Sequence, residues 1–68
     1  MHTGNVRWFD QRRGYGFIQP ADGYRDIFIH RSALERAGLV TLQPNQVVIF
    51  EVVTKDGLAQ AEDIVVLN

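Results

Sequence analysis

Short alternations of apolar and polar residues run through this chain of 68 residues, each broken by glycine, proline or aspartate. That spacing predicts strands. Thr3 to Asp10 reads as strand one, followed by the tight polar connection Gln11-Arg12-Arg13-Gly14. Tyr15 to Gln19 reads as strand two and is stopped by Pro20, with Ala21-Asp22-Gly23 as a turn. Arg25 to His30 reads as strand three, with Ile27 and Ile29 on one side and Phe28 and His30 on the other. Ser32 is placed to cap a single helical turn through Ala33-Leu34-Glu35-Arg36, with Glu35 as its reciprocal partner and Gly38 as its end. Leu39 to Gln46 reads as a loop broken by Pro44. Val47 to Thr54 is dense in β-branched residues; Glu51 facing water would send Val48, Phe50 and Val52 inward. Asp56-Gly57 reads as a hairpin turn and Leu58 to Val66 as the fifth strand.

The expected fold class is all-β: a five-stranded antiparallel barrel with a short helical turn after strand three, in one domain spanning 1–68. A chain this short buries only about 60 % of its unfolded surface. Closing the sheet removes exposed edges and lets one cluster serve every strand. The expected core is Val6, Ile18, Ile27, Ile29, Leu34, Val48, Phe50, Val52 and Ile64.

The aromatics do not follow that core. Trp8, Phe9, Tyr15, Phe17, Tyr24 and Phe28 all fall between Arg7 and Arg31, and only Phe50 lies outside. Tyr15 and Phe17 share a parity opposite to that of Ile18, so with Ile18 inward both rings point outward. Ile27 and Ile29 inward put Phe28 and His30 outward. Trp8 and Val6 are both even-numbered, so exposing Trp8 needs a bulge near Arg7. The outcome is an exposed patch of Trp8, Tyr15, Phe17, Phe28 and His30, with Phe9 at its edge and Arg7, Arg13 and Arg31 around it. Gly14 and Gly16 would leave open backbone between the rings for close approach of a ligand. So much exposed ring area marks an interaction site. Flat bases on a charged backbone match rings and guanidinium groups together.

The bland reading of each ring is core packing, and that is the assignment for Phe50; Tyr24 is assigned to turn packing. His30 has only His2 as a companion histidine and the chain has no cysteine, so stacking or hydrogen bonding to a base is favoured over catalysis or a metal. Asp26 either accepts a base amino group or pairs with Arg25 or Arg7. Arg12 and Arg36 read as solvated. The acids at 51, 56, 62 and 63 need no role beyond solubility.

Charge complicates this picture. Seven Lys and Arg against eight Asp and Glu give a net charge of −1, where a nucleic-acid binder is usually basic. Residues 1–31 hold five arginines against three acids, a balance of +2; residues 32–68 hold Arg36 and Lys55 against five acids, a balance of −3. The positive half is the aromatic half, and only the field within about 8–10 Å acts on a ligand. No metal-ligand spacing, nucleophile–base pair or phosphate-cradling loop is visible, so no enzymatic activity and no cofactor is expected. The start Met1-His2-Thr3-Gly4-Asn5 lacks the basic patch and apolar run of a signal peptide, and the longest apolar run, Val47 to Phe50, is too short to span a membrane. A cytoplasmic location is expected.

Over essentially its full length the chain resembles the cold-shock domain, an OB-fold module. Arg13-Gly14-Tyr15-Gly16-Phe17-Ile18 matches the family's first ribonucleoprotein motif, with Arg for the common Lys and Tyr for the common Phe. Ile27-Phe28-Ile29-His30 matches the second, Arg7-Trp8-Phe9 the lead-in and Ser32-Ala33-Leu34 the following turn. The resemblance implies binding of single-stranded RNA or DNA with low sequence specificity. It also implies an RNA-chaperone role that keeps strands unpaired without ATP. The expected binding residues are Arg7, Trp8, Phe9, Arg13, Tyr15, Phe17, Asp26, Phe28, His30 and Arg31. A monomer is expected, with a dimer as the alternative, and neither a small-molecule substrate nor a membrane partner. The alternative function is a protein-interaction or self-associating module that uses the same patch. Four positions depart from the family. Arg31 and Leu39 stand where rings are common, Asp10 where Asn is common, and Gly57-Leu58-Ala59 replaces a Gly-Pro pair. Loss of two rings, each worth about 1–3 kcal/mol of stacking, predicts weaker binding or a shorter footprint. Arg31 recovers part of it through guanidinium stacking or a phosphate contact.

Overall fold

The computed structural model describes residues 1–23 and 25–68. The expectation for Tyr24 therefore lies outside the described residues. Among them are the strands β1 (His2–Asp10), β2 (Tyr15–Pro20), β3 (Ile27–His30), β4 (Val47–Lys55) and β5 (Leu58–Val66), with helix α1 (Arg31–Arg36) between β3 and β4. They close into a barrel in the order β1-β2-β3-β5-β4. Every pairing is antiparallel except the closing one, where β3 meets β5 in parallel through Phe28 and Gln60. The expected fold class holds, with that one parallel seam as a refinement.

The sequence reading places the strands within a residue or two of their observed bounds. β3 starts at Ile27 rather than Arg25, because its pairing with β2 begins at Ile27 opposite Ile18. Asp56 and Gly57 both adopt positive φ, 51° and 77°, the geometry that suits the twist of the β4–β5 hairpin. The helix departs from expectation at its start. The chain leaves β3 straight into α1, so His30 rather than Ser32 is the cap; its Nδ1 accepts the Ser32 backbone N–H at 3.1 Å. Glu35 does not reach back to complete a capping box. The far end follows the pattern: Gly38 turns at φ 75°, and the N–H groups of Gly38 and Leu39 bond the carbonyls of Glu35 and Leu34.

Val6, Ile18, Ile29, Leu34, Val48, Phe50 and Ile64 form the buried core as expected, and Ile27 packs half-buried against it. Val52 does not: it is 36 % exposed. Its parity is right, but β1 stops covering β4 at the His2–Phe50 pair, and beyond that point the hairpin projects past the barrel. Ala33, Leu42 and Ala61 are buried in addition. Leu42 escapes the strand pattern because it sits in the loop that returns under β1, where Asn45 and Gln46 exchange backbone hydrogen bonds with Val6.

Two residues read as merely solvated are tied together. Glu62 is only 8 % exposed, and its carboxylate takes Arg36 Nη1 at 2.6 Å and Lys55 Nζ at 3.0 Å. This joins α1 to both strands of the hairpin. Burial pushes the Glu62 carboxyl up, but the hydrogen bonds and charges of Lys55 and Arg36 outweigh it and hold the group below its ordinary value. A folded value below the unfolded one stabilises the fold above the ordinary carboxylate range, and the contribution fades as pH falls through the folded value. Both cations are well exposed, so the contribution is about 1 kcal/mol, nearer a surface pair than a buried one. Denaturant unfolding of Glu62→Gln against the parent should show that gap at neutral pH and its closure in acid. A gap that stays constant from neutral pH into acid would contradict the assignment.

Candidate nucleic-acid interface

The outward face of β1, β2 and β3 carries the rings, and strand register decides which touch. Trp8 lies opposite Phe17 and Phe17 opposite Phe28, so these rings form one row across three strands. Tyr15 and His30 pair in the adjoining row. The row depends on a register shift between Val6 and Trp8: β1 spends two residues where β2 spends one, and Arg7 is the extra residue. The bulge expected near Arg7 is therefore present, and it turns Trp8 to the face opposite Val6.

The rings support one another edge to face. Trp8 lies 5.5 Å from Tyr15 and 5.4 Å from Phe17 by ring centroids, both edge-on. Phe17 meets Phe28 edge-on at 5.8 Å, and Tyr15 stacks diagonally on Phe28 at 5.8 Å. Phe28 and His30 are 6.5 Å apart. Such contacts are the favoured geometry for aromatic pairs and hold each ring in one orientation. Trp8 remains 42 % exposed, and Tyr15, Phe17 and Phe28 are half-buried with a face toward solvent.

Phe9 is different. It pairs with Gly16, which pairs with Ile29, and that row faces inward. A Cβ on Gly16 would collide with the Trp8 carbonyl and the Phe9 ring. The missing side chain at Gly16 thus makes room for the protein's own β1, not for a ligand as the sequence reading had it. Phe9 packs half-buried against the core, away from the platform, and opens into a cleft beside α1.

Three guanidinium groups bound the platform. Arg7 Nε is held by Asp26 at 3.1 Å, so of the two arginines considered as partners for Asp26 it is Arg7 that forms the ion pair. Asp10 accepts the backbone N–H groups of Arg12 and Arg13 at 3.0 Å each and shapes the β1–β2 turn. Arg13 lies beside Asp10 at 3.7 Å, and the Tyr15 hydroxyl, followed by Asp10, holds its guanidinium still more firmly charged. Arg31 folds its guanidinium over Gly14, where a Cβ would collide with it, and donates to the Arg12 carbonyl at 3.4 Å. Its backbone N–H bonds the Gly14 carbonyl at 2.8 Å. His30 serves twice: capping through Nδ1 leaves Nε2 as the donor on an exposed ring. All ten sequence-predicted residues are thus placed. Trp8, Tyr15, Phe17, Phe28 and His30 share one face; Arg7 with Asp26, Arg13 and Arg31 ring it; Phe9 stands on the other side of the sheet.

A five-strand barrel of this order with a short helix after β3 is an OB-fold, and a solvent-facing ring platform on β1–β3 defines a binding module within that class. The chain belongs to the cold-shock protein family: the 'Cold-shock' DNA-binding domain family matches residues 2–67. It is 46 % identical over 66 residues to "Cold shock protein CspA" of Rhizobium meliloti (strain 1021), covering 94 % of this chain and 96 % of that one. Identity is 47 % over 66 residues to "Probable cold shock protein y4cH" of Sinorhizobium fredii, again 94 % and 96 % covered. It is 51 % over 49 residues to "Cold shock-like protein CspC" of Shigella flexneri, covering 72 % and 71 %. Cold-shock proteins are non-enzymatic nucleic-acid binders, which fits the barrel and its platform.

If the platform rings serve a surface and not the core, Phe17→Ala should cost about 1 kcal/mol of stability, the value of its ring contacts. Phe50→Ala, at a fully buried ring, should cost about 3–5 kcal/mol. Equal losses in denaturant unfolding would contradict the division between platform and core.

Proposed function

We propose that this protein binds single-stranded RNA or DNA with low sequence specificity and acts as an RNA chaperone in the cytoplasm. The observation that carries the reading is the row Trp8–Phe17–Phe28 with Tyr15 and His30 beside it, half-open to solvent and bounded by guanidinium groups. Successive bases stack on these rings, and stacking is tolerant of sequence because every base has a π-face. Arg13 and Arg31 contact phosphates directly. Arg7 does so with its orientation set by Asp26, which neutralises part of its charge. His30 Nε2 donates to a base edge. Phe9 contributes through the cleft beside α1, not through the platform. A duplex keeps its bases stacked on each other, so it cannot use the platform. Binding therefore favours the open strand and opens weak hairpins by mass action, without ATP.

The family resemblance implies rings at the positions of Arg31 and Leu39, so the affinity falls below that of a family member with both. The experiment is a titration of Trp8 fluorescence with a pyrimidine-rich oligonucleotide at several salt concentrations. Fluorescence should quench, and log affinity should fall with log salt at a slope of about −2 for three phosphate contacts. Phe17→Ala and Phe28→Ala should each weaken binding by about 1–3 kcal/mol. A fluorophore-labelled RNA hairpin should open on adding protein alone. No quench at low salt would overturn the reading.

A further inference from the structure

The β4–β5 hairpin leaves one strand edge open. β1 covers β4 only as far as the His2–Phe50 pair, while β5 accompanies β4 to Lys55. Successive residues of a strand point their backbone groups to opposite sides. The Gln46 carbonyl accepts from Val6 of β1 and the Val47 carbonyl from Leu67 beyond β5. Even-numbered residues of β4 therefore address β1 and odd-numbered ones β5. Past Phe50, the N–H and C=O groups of Val52 and Thr54 face no strand among the described residues. Proteins usually blunt such an edge with a bulge, a proline or a free lysine. Here pairing is regular from Glu51 to Lys55, and Lys55 is drawn to Glu62 at 3.0 Å. A pocket of about 280 Å³ opens beside this edge. Val52, Phe50 and His2 line it, the His2 ring stacked on Phe50 at 5.7 Å, and Pro20 and Ile27 extend its apolar wall. Val52, the inward residue left 36 % exposed, thus stands between the open edge and the pocket. Acids stand at both: Glu51, which the Met1 ammonium meets at 3.3 Å, Asp56 in the turn, and Asp22 in the pocket wall.

We propose that this edge and pocket form a docking site for an extended, cationic segment of another protein, which adds to β4 as a strand. Backbone hydrogen bonds to Val52 and Thr54 hold the segment, and its alternate side chains read the surroundings. A residue paired with Val52 carries its side chain on the same face as Val52, which is the pocket side. A large apolar side chain there enters the pocket beside His2. The residues on either side of it point to the outer face, where Glu51 lies, and lysine or arginine suits them. An acidic segment is repelled by Glu51, Asp56 and Asp22. A second copy of β4 offers only valine and threonine to the pocket and brings the same acids, so it fits less well. No residue of the ring platform lines the pocket, so the proposal does not rest on the single-strand reading.

The probe is a short synthetic peptide of alternating lysine and valine with phenylalanine in place of the central valine; its twin carries serine there. Amide hydrogen exchange and amide chemical shifts are followed as peptide is added. In the free protein Val52 and Thr54 should exchange fast, and Glu51 and Val53 slowly, since only the latter two bond β5. The phenylalanine peptide should shift and protect Val52 and Thr54, and bind about tenfold more tightly than the serine twin. Thr54→Pro removes an N–H that no strand of the barrel uses, so the fold tolerates it and peptide binding is lost. Val52→Lys, which keeps every backbone group and sets a like charge at the pocket, should also abolish binding. Equal affinity for the two peptides, shifts confined to the ring platform, or no shift at high peptide concentration would overturn the proposal. So would protection of Val52 and Thr54 without peptide; where it grows with protein concentration, a second copy is the occupant.

Discussion

The register of β2 between β1 and β3 is the constraint on which the rest of the structure depends. One alignment sets two rows that face opposite ways. Phe9, Gly16 and Ile29 turn toward the core, and Trp8, Phe17 and Phe28 turn toward solvent. A slip of one residue would exchange them, placing isoleucines in water and rings in the core. Two local features lock the alignment. Arg7 is the extra residue that lets Val6 stay inward while Trp8 faces out. Gly16 is the position where the β1 backbone comes too close for a side chain. The ring-bearing face and the fold therefore rest on the same few residues of β1 and β2.

The remaining elements hold that three-strand face in place and complete its border. β4 and β5 close the barrel behind it. Glu62 ties Arg36 of α1 to Lys55 of the hairpin, so the helix is fastened on the side away from the rings. At the other end of α1, His30 is both the last residue of β3 and the cap of the helix. The short helix thus orients the ring of His30 and sets Arg31 over the β1–β2 turn. The guanidinium groups are partly countered by Asp10 and Asp26, which fits a protein whose net charge is −1 and whose ring-bearing side is only locally basic.

Much of this was legible in the residues, for one reason: period two is a strong code once a single inward residue is known. Ile18 inward implies Tyr15 and Phe17 outward. The clash of parity between Val6 and Trp8 implies the bulge at Arg7. What escaped depends on contacts between segments far apart in sequence. Glu62 looks like one more surface acid until β5 places it between Arg36 and Lys55. Val52 continues a correct parity beyond the end of its neighbouring strand. Leu42 is buried from a loop that has no period. Gly16 and Phe9 explain each other only when β1 lies against β2. The cap fell to His30 rather than Ser32 because β3 runs into α1 with no residue between them, a junction that propensity alone does not mark.

The central claim is that β1–β3 present one face on which unpaired bases lie. Backbone amide chemical shifts followed through a titration with a short single-stranded oligonucleotide test it most directly. The account predicts large shifts at residues 7–9, 13–17 and 28–31, and little change along residues 52–60 of the β4–β5 hairpin. Shifts concentrated on the hairpin, or no shifts at saturating oligonucleotide in low salt, would contradict it.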